Sequence, residues 1–511
     1  MKHAVLSLLI LLATVDLASA NELAFDVAGY QLDGRNPLND EAVRETLQPF
    51  TGKQQTVASL QQAAAALQAR LAASGHRFYR VILPPQTLTD TVSLKLVMMP
   101  LGSVSYSGQN YFSREQLAAS FPVLQPGLTP DTRELARNLA QFNDHPAHEA
   151  VLTLSESRVR EAIDVTVQVE DRPPSSFWSS LQNTGNDATG RWRLGAGWHT
   201  SALAGTDQQL TVSYTTSPDQ HHRDVAQFGL SWKWPLYRWA TDVSAYAVHS
   251  DVDSGTVGGF FDVSGRGDYA GVALAKHLLP LGQLKHGVKL GLDYKAYGNK
   301  VMFDQANLGA DVTTTPLTLG WFGVWQGKGS RLALALDWSH NLPGGNDNDD
   351  AHHLANRHGA DANWQAWRGS IDYQLPLSAG WSVLSRLQAQ YSRRPLVPGE
   401  QFGIGGSQSV RGYEEREAFG DQGHSVALEA WTPLLASGLR AVLFADSGST
   451  RRLQPQAQEI SHQHLLGLGA GLRWQPNRQY GVSIDLARPM TDTPNSQAGT
   501  WRAHVLATAR F

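Results

Sequence analysis

Trp501-Arg502-Ala503-His504-Val505-Leu506-Ala507-Thr508-Ala509-Arg510-Phe511 ends the sequence and decides its fold class. Successive side chains of a strand point to opposite faces. Trp501, Ala503, Val505, Ala507, Ala509 and Phe511 therefore share one face, and Arg502, His504, Leu506, Thr508 and Arg510 share the other. An apolar stripe with aromatic ends, backed by charges, is the pattern of a strand that crosses a membrane in a barrel. The alternation recurs where Leu332, Leu334, Leu336 and Trp338 oppose Arg331, Ala333, Ala335 and Asp337. Val288, Leu290, Leu292 and Tyr294 likewise oppose Lys289, Gly291, Asp293 and Lys295, and Tyr480, Val482, Ile484 and Leu486 oppose Gly481, Ser483 and Asp485.

Working back to Phe177, no helical period survives longer than a turn, and about sixteen segments of this kind fit, an even count as in bacterial barrels. Tight turns at Gly327-Lys328, Ser378-Ala379-Gly380 and Gln475-Pro476-Asn477 alternate with long stretches at 299–312, 341–361, 393–421 and 447–462. Short turns on one side and long loops on the other are expected of an outer-membrane barrel. Residues 256–264 fit either a strand or a loop. In hydrocarbon every backbone group must be paired internally, so the strand of Phe511 is expected to close against that of Phe177. A terminal phenylalanine suits such a barrel.

The beginning differs. Lys2, the apolar run from Ala4 to Leu17 and Ala18-Ser19-Ala20 read as a signal peptide over 1–20, predicting export. The segments that follow alternate helix and strand periods in an order that repeats once. In 21–98, Phe25, Val27 and Gly29 predict a strand, and Asn39 caps a helix with Asp40 and Glu41 in its first turn. Val57, Leu60, Ala64, Leu67 and Leu71 give a second helix stopped by Gly75, and strands follow over 78–83 and 92–97. In 99–171, Val104 and Tyr106 mark a strand, Ser113-Arg114-Glu115-Gln116 is a capping box, and Thr129-Pro130 reads as an N-cap with proline at the first helical position. Strands over 150–154 and 163–169 complete a second β-α-α-β-β module. Asp171-Arg172-Pro173-Pro174 reads as a linker to a barrel over 172–511.

The chain carries no cysteine, so disulfides and thiolate metal sites are excluded. A net charge of −4 weighs against nucleic acid. Forty-seven glycines and fifteen tryptophans, with only 41% hydrophobic residues, suit a barrel in which every second strand residue meets lipid. His221-His222, His352-His353 and His145 with His148 read as solvated histidines rather than metal ligands. Asp347-Asn348-Asp349-Asp350 lacks the glycine and glutamate of a calcium loop. Gly467, Gly469 and Gly471 suit close packing inside a barrel. No nucleophile–base pair, cofactor motif or metal set emerges, so the chain reads as a non-enzyme.

Within 393–421, Val410-Arg411-Gly412-Tyr413 places an arginine among apolar residues, odd for a solvated loop and apt for one folded back into a polar lumen. This segment resembles the motif on the re-entrant loop of the outer-membrane POTRA-plus-barrel translocators. Gly75-His76-Arg77-Phe78 with Leu83-Pro84-Pro85-Gln86, then Pro126-Gly127, Phe142-Asn143 and Pro146, resemble the POTRA domains of two-partner secretion transporters of the haemolysin secretion/activation type. His148 stands where that family more often has arginine. Asn183-Thr184-Gly185 and Thr189-Gly190-Arg191 are similar to the hairpin that opens the family's barrel. The resemblance implies that Arg411 pairs with the aspartate of a Phe-x-Asp-x-Gly segment, here Phe444, Asp446 and Gly448. Alternation turns Val442, Phe444 and Asp446 to one face, so Asp446 is expected to point into the lumen.

It further implies periplasmic POTRA domains that bind an unfolded haemolysin- or adhesin-like exoprotein by β-augmentation. The barrel, in outer-membrane lipid and monomeric, would translocate that exoprotein to the cell surface. An assembly factor for other outer-membrane proteins, of the BamA/TamA kind, is the alternative; its relatives usually carry more POTRA domains. Members also carry an N-terminal plug helix, for which the spacing between signal peptide and first strand leaves no evident room.

Overall fold

A computed structural model describes residues 24–511, apart from Leu88, Ala188, residues 223–224 and parts of 253–265 and 299–309. The signal-peptide reading lies outside the described residues; of 256–264, the described part is a small hairpin, Gly255–Val257 on Phe261–Val263, not paired with the barrel strands. Two compact units form: residues through Ser103 with Gln125–Thr132 and Ser155–Asp164, and Val104–Leu124, Arg133–Leu154 and Val165–Phe511.

In the first module, β1 (Phe25–Val27) and β2 (Gly29–Asp33) precede α1 (Asp40–Leu47), then β3 (Gly52–Gln55), α2 (Val57–Ala73), β4 (Tyr79–Ile82) and β5 (Thr91–Met98). The Asn39 side chain accepts from Ala42 N at 2.9 Å, capping α1. Gly75, at φ +93°, turns the chain out of α2 while His76 N donates to Leu71 O at 2.8 Å. Leu60, Ala64, Leu67 and Leu71 are buried on the sheet side of α2. The extra strand β3, which pairs with β1, escapes sequence reading because Gly-Lys-Gln-Gln has no apolar alternation and lies exposed.

The second module runs β6 (Leu101–Ser107), α3 (Arg114–Ser120), α4 (Thr132–Asn143), β7 (His148–Glu156) and β8 (Ile163–Asp171). The capping box of Ser113 and Gln116 forms. The Thr129-Pro130 cap does not. Thr132 donates both its N–H (2.8 Å) and its hydroxyl (3.0 Å) to Gly75 O, so helix α4 starts at Thr132 and Pro130 stays outside it. Asp171 is more than a linker: its carboxylate accepts from the backbone N of Asn110, Tyr111 and Phe112 at 2.7–3.1 Å.

Sixteen antiparallel strands then close a barrel. They are β9 (Ser175–Gln182), β10 (Arg193–Leu203), β11 (Gln208–Thr216), β12 (Gln227–Leu236), β13 (Thr241–Ser250), β14 (Gly267–His277), β15 (Leu284–Tyr297) and β16. Strand β16 comprises Val312–Thr314 and Pro316–Gly327, interrupted at Thr315. The rest are β17 (Ser330–Asn341), β18 (Gln365–Pro376), β19 (Ser382–Ser392), β20 (Gln422–Trp431), β21 (Leu439–Arg451), β22 (His462–Trp474), β23 (Tyr480–Pro489) and β24 (Arg502–Arg510). A short helix, α5 (Asp350–Asn356), lies in the loop between β17 and β18. Strand β21 runs to Arg451, so the first residues of the stretch expected as loop from 447 belong to the strand.

Closure is made by β24 on β9, with Phe177 N donating to Phe511 O at 2.9 Å and Phe511 N to Phe177 O at 2.8 Å. Asn183 prolongs this seam. Its side chain accepts from Val505 N (2.7 Å) and donates to Ala503 O (2.8 Å), as a further strand residue would. Leu290, Leu292, Tyr294, Leu336 and Leu486 are exposed on the outer wall, where an apolar band faces lipid.

Candidate functional site

Residues 393–421 leave the wall at the end of β19 and rejoin it at β20. A small ladder of Phe402–Ile404 on Ala418–Gly420 stiffens the segment. Ile404, Val410, Tyr413 and Ala418 are buried together with Leu465 of β22, which holds the loop against the inner wall. The Tyr413 hydroxyl lies 3.0 Å from Leu466 O and 2.6 Å from Thr491 Oγ1. Gly412 has φ +98°, and a Cβ there would sit 2.9 Å from Pro489 N. Only glycine takes both that conformation and that approach without strain.

This packing delivers Arg411, 4% exposed, to the inner faces of four strands. Its Nε and Nη2 donate to the two carboxylate oxygens of Asp446 at 2.7 and 2.8 Å, and its backbone N donates to Oδ2 at 3.1 Å. Nη1 donates to Glu429 at 2.6 Å and lies 3.4 Å from Asp485. The Phe444 ring lies under the guanidinium, 3.6 Å from its carbon. Gly412 N donates to His504 Nε2 at 3.0 Å. Arg473 adds a second cation, bidentate to Asp485 at 2.6 and 2.9 Å. Two arginines thus meet three carboxylates. A bidentate fork satisfies both oxygens of the fully buried Asp446, and removal of the arginine would leave that charge uncompensated.

The structure therefore brings Val410 and Arg411 to the strand that carries Phe444, Asp446 and Gly448, while Gly412 and Tyr413 seat against Pro489, His504, Leu466 and Thr491. Glu429, Asp485, Arg473 and His504 escaped sequence reading. The usable signal was parity: Asp485 and His504 fall on the polar faces of their strands, the faces a re-entrant loop must meet.

The root of the loop has its own anchors. Asp421, fully buried, accepts from Arg357, from Leu396 N and Leu453 N (both 2.7 Å) and from Gln401 Nε2 (3.1 Å). These donors come from three loops, one of them containing α5. Glu400 accepts from Lys295 (3.0 Å), Arg368 (2.8 Å), Tyr297 (3.1 Å) and Thr314 (3.0 Å).

Histidines read as solvated divide. His353 is the buried residue of α5, with Nε2 3.3 Å from Thr313 O, and His145 and His148 are buried where the second module meets barrel turns. His352, by contrast, is half-buried and lies between Asp347 (3.2 Å) and Asp349 (2.8 Å). The His148 ring stacks on Phe142 and His145, with centroids 3.8 and 4.0 Å apart. Its Nε2 is 3.4 Å from Asp207, which also accepts from Tyr237 (2.7 Å) and Ser120 (2.9 Å). Burial, reinforced by His148, lowers the His145 pKa to about 4, so this ring is neutral at physiological pH. Gln141 of α4 donates to Asp242 at 2.8 Å. Phe142 and Tyr237 supply the apolar mass of the joint that hides these groups from water.

Residues 161–474 match the family described as haemolysin secretion/activation protein ShlB/FhaC/HecB, and residues 25–100 match the ShlB-type POTRA domain. The chain is similar to the heme/hemopexin transporter protein HuxB of Haemophilus influenzae strain 86-028NP. The two are 23% identical over 497 residues, covering 92% of this chain and 84% of that protein. Its fold is shared with CdiB from Escherichia coli (TM-score 0.78, 18% identity, covering 97% of this chain and 92% of that one). CdiB from Acinetobacter baumannii is also alike (TM-score 0.73, 17% identity, 96% and 90% covered). The chain belongs to the ShlB/FhaC/HecB family, and is an outer-membrane two-partner secretion transporter that exports a partner protein.

Proposed function

We propose that residues 21–98 and 99–171 act as two POTRA domains that capture an unfolded haemolysin- or adhesin-type exoprotein, and that a monomeric barrel over 172–511 passes it outward. Val410, Arg411, Gly412 and Tyr413 hold loop 393–421 in the lumen through Asp446, and translocation requires that hold to yield. The reading is carried by one observation: a bidentate Arg411–Asp446 pair, buried on both sides, joins the loop to the wall. No nucleotide motif is present in the sequence, so folding of the exoprotein outside the cell supplies the drive, with no cofactor.

Export of a cognate partner in a two-gene system tests this. Arg411→Ala and Asp446→Ala should each reduce export at least tenfold while the barrel still inserts, as judged by heat-modifiable migration. Normal export by both variants would sink the role given to the pair.

A further inference from the structure

We propose that four inward-facing cations at the periplasmic end of the barrel, Lys285, Arg331, Arg440 and Arg510, form a collar that draws acidic stretches of the unfolded partner into the lumen. The inference rests on the transport reading above and adds the chemistry of what is taken up. The end in question is the one where Gln141 of the second module meets Asp242 at the start of β13.

Strand parity sets the direction of each side chain. Lys285 shares a face with Lys289 and Lys295, which bond Asp337 and Glu400 inside. Arg331 shares one with Asp337, Arg440 with Phe444 and Asp446, and Arg510 with His504.

Pairing separates these four from the neighbouring strand-borne cations of the lumen named next. Lys289, Lys295, Arg368, Arg386 and Arg473 each have a carboxylate within 3.0 Å, and Lys233 at the rim has Asp242 at 2.9 Å. Lys285, Arg331, Arg440 and Arg510 form no ion pair among the described residues, and all but the half-buried Arg440 are exposed. Arg440 lies directly opposite Arg473 in the β21–β22 register, a like-charge juxtaposition that disfavours the sheet. Lys285 and Arg331 line a cavity with Arg137, where Asp144 is the one carboxylate.

The seven turns at this end carry three further cations, Arg238, Lys328 and Arg478, which belong to no inward strand face and stand outside the collar, and a single acid, Asp207, which His148 and Tyr237 already occupy. Uncompensated charge of one sign lining a mouth with low-dielectric walls focuses the field and raises capture of oppositely charged chains. The inward direction keeps the four side chains from lipid headgroups, so an anionic polypeptide is the occupant they fit.

The test uses the detergent-solubilised full chain and two labelled unstructured peptides, one of Gly, Ser and Glu and one of Gly, Ser and Lys, read by fluorescence anisotropy. The wild type should bind the Glu peptide about tenfold more tightly at low salt, with the preference fading as salt rises. The variant K285Q/R331Q/R440Q/R510Q, checked for heat-modifiable migration, should lose the preference. A second variant, R238Q/K328Q/R478Q, should keep it. Equal binding of both peptides by the wild type would overturn the collar. So would a preference that survives in the first variant, or one lost in the second, which would assign capture to lipid-flanking charges. Export in the two-gene system separates the two readings: normal export by the first variant removes the collar's role and leaves the transport reading standing.

Discussion

The tip and the root of the re-entrant loop are held by inverse arrangements. At the tip one guanidinium, Arg411, faces three carboxylates on three different strands. At the root one carboxylate, Asp421, gathers donors from three loops. The difference lies in what each anchor fixes. Arg411 ties the loop to the barrel wall, so its loss frees the tip. Asp421 ties three loops to each other, so its loss softens the outer mouth without releasing the tip.

The sharpest way to break this contrast is Arg411→Ala. It leaves Asp446 buried and unpaired, a local cost of about 3–5 kcal/mol. Single-channel conductance in planar bilayers should rise well above wild type, and hydrogen exchange across 405–415 should speed up. Asp421→Ala comes next, at about 2–3 kcal/mol, because backbone and guanidinium donors lose a charged acceptor. It should raise exchange in 350–357 and 453–460 while the tip stays protected. An unprotected tip in that variant would show that root and tip release together, and the contrast would fail. Tyr413→Phe is the mildest, about 1 kcal/mol for the lost hydroxyl bonds to Leu466 and Thr491. It should increase the frequency of brief openings without changing their conductance.

How much of this was legible in the sequence depends on range. Alternation is local, so the barrel strands, the tight turns and the closure of Phe511 on Phe177 could be read directly. Asp446 could be named because a resemblance supplied it, and parity turned it inward. Glu429, Asp485 and His504 meet the loop across 18, 74 and 92 residues of sequence, and no local pattern carries such a distance. The buried histidines misled for a related reason. His145 and His148 sit in a turn-like stretch, and only the barrel's Asp207 and Ser201, more than fifty residues on, reveal that the stretch is covered. Strand β3 was lost because an exposed polar strand has no hydrophobic period to detect.

The glycines of β22 have a consequence for how finely the loop is seated. A Cβ at Gly467 would stand 2.1 Å from the Arg411 carbonyl oxygen, and one at Gly471 would stand 1.9 Å from Asp485 Oδ1. One added methyl at 467 would push the loop back by about an ångström, more than the 2.7–3.2 Å range over which such hydrogen bonds hold. The bare backbone of this strand therefore works as a gauge block: wall thickness, as much as charge, sets whether the arginine reaches its acid. A transporter of this design could be jammed open by adding atoms to its wall, with every ionisable group still in place.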